Sequence, residues 1–165
     1  MSAFRLRLLG LLGATVAFLA DQATKQWALA ALWPPYEVVV EVLPVWNFRL
    51  GFNTGVTFGL FRDSAADKVW ILVAAKLAVV AFLLVWMWRT RHRAEALALG
   101  LVAGGALGNI LDRVRIGAVV DFVDWHHAGW HWPTFNMADV AIVCGAGLLL
   151  FQGARGSPRA GRAEG

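Results

Sequence analysis

The sequence predicts an all-α polytopic membrane protein with four transmembrane helices and a small extracytoplasmic antiparallel β-sheet. Of its 165 residues, 59% are hydrophobic and 16% are charged, whereas an average soluble domain has about 45–50% and about 25%. Residues 69–88 contain one charge, Lys76, and about 20 apolar residues suffice to span a bilayer. The single cysteine, Cys144, excludes an intrachain disulfide scaffold. We therefore treat residues 1–165 as one integral membrane domain.

Four apolar segments are candidates for spans: residues 8–32, 69–88, 94–111 and 135–151. Polar residues interrupt the first segment, but apolar sequence resumes after them. Asp21 and Lys25 are one helical turn apart and are expected to form an intrahelical pair. These features favour an uncleaved first helix over a cleavable signal peptide, although the N-terminus also fits the three-part signal-peptide pattern.

Basic residues cluster before the first span, between spans two and three, and after the last span. The clusters are Arg5 and Arg7, then Arg89, Arg91 and Arg93, then Arg155, Arg159 and Arg162. Loops rich in Lys and Arg stay cytoplasmic, so both termini are predicted inside and the connections 33–68 and 112–134 outside. Residues 152–165 are predicted to form a disordered cytoplasmic tail. Topology thus explains the net charge of +4, and no nucleic-acid partner is expected.

The first outer connection shows the alternation of a β-strand. Trp46, Phe48, Leu50 and Phe52 alternate with polar residues and glycine, which predicts a strand with one polar face. A second alternating run at residues 38–42 precedes Pro44, so a small antiparallel sheet on the membrane surface is expected.

Polar and ionisable residues lie at the outer ends of three predicted spans, where such groups are costly and are functional candidates. Those in the first, third and fourth spans are Asp21 and Lys25; Asn109, Asp112 and Arg113; and Asn136 and Asp139. Beneath them a stripe of small residues permits tight helix contact: Gly100, Gly104, Gly105 and Gly108.

Two further acids, Asp121 and Asp124, lie in a short extended segment of the second outer connection. Residues three apart in a strand point to opposite faces, so only one of them is expected to meet Asp139, and the other is expected to be solvated or capping. Periodicity does not decide between them. Two carboxylates at a partly dry site suggest acid/base chemistry on water.

Three alternatives to catalysis are open at this point. In a purely structural interpretation, Asp112 pairs with Arg113 or Lys25 and Asp139 caps the fourth span. A metal carrier is suggested by three loop histidines near Asp124, although their spacing matches no fixed site: His126, His127 and His131. A proton-coupled transporter would also use acids within the membrane, but four spans without internal repeats are few for such folds.

Taken together, the motifs resemble those of the lipoprotein signal peptidase (signal peptidase II) family of the bacterial inner membrane. The resemblance covers nearly the whole chain and rests on four boxes in order: residues 21–25, 53–59, 108–122 and 135–139. At Val56 and Thr57 the second box departs from the small residues that the family usually has there. These bulkier side chains could reshape the rim that contacts substrate.

The resemblance implies that Asp121 and Asp139 are the catalytic aspartates, which decides the open choice against Asp124. It also implies that nine further residues bind substrate or support the site: Asp21, Lys25, Asn53, Gly55, Asn109, Asp112, Arg113, Asn136 and Ala138. The implied fold has four helices and a β-sheet cradle outside the bilayer.

The activity implied by the resemblance is that of a membrane-embedded aspartic endopeptidase. Such an enzyme removes the signal peptide of a diacylglyceryl-modified prolipoprotein by hydrolysing the bond before the lipid-modified cysteine. The expected partners are these substrates and membrane lipids. Neither a metal, nor an organic cofactor, nor an obligate protein partner is expected.

Overall fold

The computed structural model describes residues 2–55 and 65–156 and contains four long helices and four strands. In chain order the elements are α1 (Ala3–Ala31), β1 (Val39–Leu43), β2 (Trp46–Asn53), α2 (Ala65–Arg89), α3 (Arg93–Ile116), β3 (Val119–His127), β4 (Trp130–His131) and α4 (Met137–Gly156). By length and composition, all four helices are able to cross a membrane. The predicted fold class is confirmed.

Helix α3 is the central helix, packing against α1, α2 and α4. Its glycines allow this close approach, because a Cβ at Gly104 would collide with the carbonyl group of Ala14 in α1. A Cβ at Gly105 would lie 2.5 Å from the carbonyl oxygen of Ala138 in α4. The predicted small-residue stripe is therefore the packing surface of α3 on two neighbours.

The four strands form one antiparallel sheet in the order β1-β2-β3-β4. In the β2–β3 pair, Gly51 lies opposite Asp121 and Asn53 lies opposite Val119. The sheet rests on the end of α1, where Ala28 and Leu32 share a buried cluster with sheet residues, among them Leu50, Val120 and Phe122. This contact holds β3 over the ends of the helices.

The helices extend beyond the predicted spans. Helix α3 continues past residue 111, where the third span was drawn to end, as far as Ile116, so Asp112 and Arg113 lie on the same helix as Asn109, as their spacing predicted. It ends at Gly117, whose φ of 76° is the left-handed C-cap conformation and whose N–H donates to the Arg113 carbonyl. The charged residues Asp112 and Arg113 do not end the helix, because their side chains have partners in the folded chain, which are described below.

Helix α4 continues to Gly156, so residues 152–156 of the predicted tail are helical. The rest of that tail and the departure at Val56 and Thr57 lie outside the described residues.

The predicted strand around Asp121 extends to His127 and turns back as β4, which the sequence pattern did not reveal. The turn consists of Ala128 and Gly129, which have φ angles of 49° and 83°. Two successive left-handed residues match the twist of a tight hairpin.

Candidate active site

A buried lysine connects α1 to α3 at the base of the sheet. The Lys25 ammonium group lies 2.8 Å from Asp21 Oδ2 and 2.7 Å from Asp112 Oδ2, and it donates to Asn109 Oδ1 at 2.9 Å. These three acceptors use all three protons of the ammonium group. The predicted Asp21–Lys25 pair is present, together with the Lys25–Asp112 pair that the structural interpretation expected.

Asp21 also connects α1 to the beginning of α4. Its Oδ1 accepts a hydrogen bond of 2.9 Å from the backbone N–H of Ala138, in the first turn of α4. A Cβ at Gly108 would collide with the Asp21 carboxylate, so glycine is needed at this point of α3. Ala138 thus contributes a backbone donor to the cluster.

Gln22 belongs to the same cluster and was not singled out from the sequence. Its amide donates to Asp21 Oδ2 and to Asp112 Oδ1, both at 3.2 Å. The sequence signal that could have identified Gln22 as a site residue was its position within the first box of the family resemblance.

Asp139 lies at the N-terminal end of α4 in a reciprocal capping arrangement with Asn136. The Asp139 N–H donates to Asn136 Oδ1 at 3.0 Å, and the Asn136 N–H donates to Asp139 Oδ2 at 3.3 Å. The other oxygen of Asp139 accepts from Asn109 Nδ2 at 3.0 Å. Asp139 therefore caps its helix, as the structural interpretation expected, and also faces α3.

Asp121 reaches the same place from β3. Its Oδ1 accepts from Asn136 Nδ2 at 2.6 Å, and its Oδ2 accepts from Asn53 Nδ2 at 3.1 Å. Asn136 consequently contacts both carboxylates, Asp121 through its side chain and Asp139 through its main chain. The Asn136 amide also donates to Asn109 Oδ1 at 3.1 Å, so two asparagines bridge the pair.

The electrostatic environment makes it harder for Asp121 to lose its proton. Burial, together with the negative charge of Asp139, raises the pKa of Asp121 to about 6, whereas hydrogen bonds from Asn53 and Asn136 and the charge of Lys25 oppose the rise. Because this pKa lies above the ordinary value of 3.8, ionisation of Asp121 reduces stability as the pH rises through that interval. Asp121 thus keeps its proton to a higher pH than an ordinary aspartate does.

Arg113 lies between this pair and the end of β2. Its Nη1 donates to the Asn109 carbonyl at 3.1 Å, whereas its buried Nε has no hydrogen-bond partner within residues 2–55 and 65–156. Gly55 has a φ of 73°, in the left-handed region that favours glycine, and a Cβ there would make a tight contact of 3.2 Å with Arg113 Nη2. Its N–H donates to Asn53 Oδ1 at 2.9 Å. Arg113 therefore has donor capacity available for a ligand.

Asp124 does not join this site. It points away from Asp121, as strand alternation predicts, and its Oδ1 lies 2.8 Å from Nδ1 of His131 in β4. The expectation that this second acid is solvated or capping is wrong, because Asp124 is 1% exposed. The His131 contact comes from the β3–β4 hairpin, which the sequence pattern did not reveal.

Comparisons with a family model and with individual known proteins point to the same family. Residues 13–155 match the family model described as signal peptidase (SPase) II. A lipoprotein signal peptidase of Methylorubrum extorquens (strain PA1) is 44% identical over 160 residues, which are 97% of this chain and 92% of that protein. A second, from Beijerinckia indica subsp. indica, is 41% identical over 87% of this chain and 86% of its own length.

Solved structures agree with the sequence matches. One bacterial membrane enzyme superposes with a TM-score of 0.78 at 26% identity, covering 90% of this chain and 94% of that one. Another gives a TM-score of 0.71 at 26% identity, with 94% and 93% covered. The chain therefore belongs to the signal peptidase II family of lipoprotein signal peptidases.

Proposed function

We propose that Asp121 and Asp139 are the catalytic pair with which this chain cleaves its substrates. As a member of the signal peptidase II family, the chain is a membrane-embedded aspartic endopeptidase that removes signal peptides from prolipoproteins. The observation that carries the assignment is the shared contact of both carboxylates with Asn136. The raised pKa of Asp121 supports it, because a pair that shares one proton needs one carboxyl that retains it.

In the proposed mechanism, ionised Asp139 accepts a proton from the attacking water and protonated Asp121 donates to the oxygen of the scissile carbonyl. The hydrogen bonds that Asp139 accepts from Asn109 and from the Asn136 N–H hold its carboxylate in position. The tetrahedral gem-diol then collapses: the leaving nitrogen takes a proton from Asp139, the C–N bond breaks, and one hydroxyl returns its proton to Asp121, which restores the starting protonation of the pair. Water attacks directly, so no acyl-enzyme forms.

The remaining site residues are proposed to hold the substrate and the pair. Arg113 has donors available for a backbone carbonyl or a lipid oxygen of the substrate. Asn53 orients Asp121 and lies at the end of β2, beside the space where peptide would enter. The Lys25 cluster keeps α1, α3 and α4 in register beneath the carboxylates.

The activity is tested with the purified chain and a prolipoprotein whose cysteine carries a diacylglyceryl group. We expect cleavage before the modified cysteine, undiminished by excess chelator, and no cleavage of the same precursor without the lipid. A requirement for added metal would contradict the two-aspartate mechanism.

We further propose that the chain lies in the bacterial inner membrane with both termini in the cytoplasm and the site at the outer face. The arginines at residues 89–93 support this orientation. Reporter fusions after Arg91 should therefore give a cytoplasmic signal, and fusions after Trp130 an extracytoplasmic one. A cytoplasmic signal at Trp130 would place the site on the wrong side for an exported substrate.

Asp124 is the matched control for Asp121, because both are buried acids of one strand. Asp121→Asn should abolish cleavage, whereas Asp124→Asn should retain most of it, since Asn can still hydrogen-bond His131. Alanine at His126, His127 or His131 should also leave cleavage substantially intact. The measurement is the cleavage rate of each folded variant. If Asp124→Asn abolished cleavage and Asp121→Asn retained it, the assignment of Asp121 to the catalytic pair would be rejected.

Asn53→Ala is expected to change the pH profile. The Asn53 side chain donates to Asp121 Oδ2 and lowers its pKa, so its removal should raise that pKa above about 6. The alkaline limb of kcat, at which the pair loses its shared proton, should then move to higher pH.

The control for this measurement is Asn47→Ala, a buried asparagine of the same strand that lies opposite Asp124 and not Asp121. Asn47→Ala should leave the alkaline limb of kcat at the same pH. An unchanged alkaline limb in Asn53→Ala would show that the pKa of Asp121 does not determine that limb.

A further inference from the structure

The β3–β4 hairpin displays three exposed tryptophans on one face. The Trp132 N–H donates to the Trp125 carbonyl at 2.8 Å, which sets these residues opposite each other, and Trp130 lies opposite His127. Opposite residues of an antiparallel pair share a face, and residues two apart in a strand share one too. Trp125, Trp130 and Trp132, here called the Trp corner, therefore lie together, and Trp130 is 61% exposed.

The Trp corner encloses a groove with aromatic walls. The rings of Trp130 and Trp132 are 5.7 Å apart with an interplanar angle of 70°, and the groove beside them has a volume of about 470 Å³. Besides the three tryptophans, its lining consists of Val45, His126 and His127, and no Lys, Arg, Asp or Glu of the described residues lines it. Aromatic faces at a steep angle around a groove without a competing charge suit a quaternary ammonium group, which binds to ring faces.

A second groove continues from the first towards the membrane. It also has a volume of about 470 Å³, and it shares Val45 and Trp125 with the first. Its other walls are apolar side chains of the sheet, of the segment before α4 and of α4 itself: Trp46, Val123, Phe135, Met137 and Val140. Such a lining suits an alkyl chain.

The lower end of the second groove opens on the lipid-facing side of α4. Val143 follows Val140 by one turn and is 69% exposed, and Leu150 lies two turns further on the same side and is also exposed. This helix is long and apolar enough to span the membrane, so bilayer lipid covers that surface. The two grooves therefore form one trough from the Trp corner to the lipid.

We propose that this trough binds one phospholipid of the leaflet beside the sheet. Its quaternary ammonium headgroup lies in the Trp corner and one acyl chain follows the second groove along α4. Neither Asp121 nor Asp139 lines either groove, although Phe135 and Met137 of the second groove flank the site residue Asn136 in the chain. The proposed occupant is a bilayer phospholipid and not the prolipoprotein substrate. The aromatic belt of membrane proteins places tryptophan at this depth, and here the belt forms a binding site.

The proposal is tested by native mass spectrometry of the full chain, purified in detergent, with three lipids of identical acyl chains. We expect one bound phosphatidylcholine, and weaker binding of phosphatidylethanolamine and phosphatidylglycerol. The Trp130→Ala/Trp132→Ala variant should lose about tenfold in affinity for phosphatidylcholine and lose the preference. Trp70→Ala removes a similarly exposed tryptophan of α2 and should change neither.

A second variant tests the acyl groove without touching the Trp corner. Val140→Trp fills the lower groove and should weaken binding of all three lipids alike. Equal binding of the three lipids by the unaltered chain, or unchanged binding in the double Trp variant, would overturn the headgroup site. Unchanged binding in Val140→Trp would overturn the acyl path. Retained prolipoprotein cleavage by the double Trp variant verifies that it is folded.

Discussion

Asp139→Asn is expected to abolish prolipoprotein cleavage while leaving the fold in place. Asn matches the shape of Asp and is a good capping residue, so the reciprocal contact with Asn136 should persist in part. One acceptor is lost, because an amide has a single oxygen to offer to Asn109 and to the Asn136 N–H, at a cost of about 1 kcal/mol. Turnover should fall by about a thousandfold or more, since the amide neither ionises nor accepts the proton from water.

The double variant Asp121→Asn/Asp139→Asn provides the test of coupling. If the two carboxylates act as one unit, the double variant should be little worse than either single variant, because each single change already removes the joint function. The measurements are single-turnover cleavage, binding of the lipid-modified substrate, and thermal unfolding. Near-normal cleavage by Asp139→Asn would show that Asp139 only caps α4 and would reject the pair.

The sequence predicted the parts of the site that depend on helical spacing. Asp21 and Lys25, one turn apart, pair as expected, and the glycines of α3 pack as expected, because both patterns are local and the helix repeat is fixed. Strand alternation likewise predicted that Asp121 and Asp124 point to opposite faces. The family resemblance was needed to choose between them.

Contacts between distant segments could not be predicted in the same way. The Asp21 carboxylate reaches the Ala138 N–H, 117 residues away, and no local pattern encodes this bond. Asp124 was expected to be solvated or capping because its partner His131 lies in β4, which is only two residues long and too short to show alternation. The boundary of the third span was drawn too early, at residue 111, for a related reason, since the partners of Asp112 lie on α1 and β3.

Lys25→Met is expected to be the most destabilising single change in the cluster. Lys25 is 1% exposed and is the only cation in contact with Asp21 and Asp112 among the described residues. Met keeps most of the volume of the side chain but leaves two buried carboxylates without their counter-charge. Removing one partner of a buried ion pair costs about 3–5 kcal/mol, which should appear as a large fall in the thermal unfolding temperature in detergent.

A charge-matched variant separates this electrostatic effect from packing. Lys25→Met/Asp112→Asn removes one of the stranded charges and should recover part of the lost stability, because replacing both partners of a buried pair costs less than removing one. Cleavage should fall with stability in Lys25→Met, since Asn109, which donates to Asp139, loses the contact that orients its amide oxygen. An unfolding temperature equal to that of the unaltered chain would show that the contacts of Lys25 do not hold the helices together.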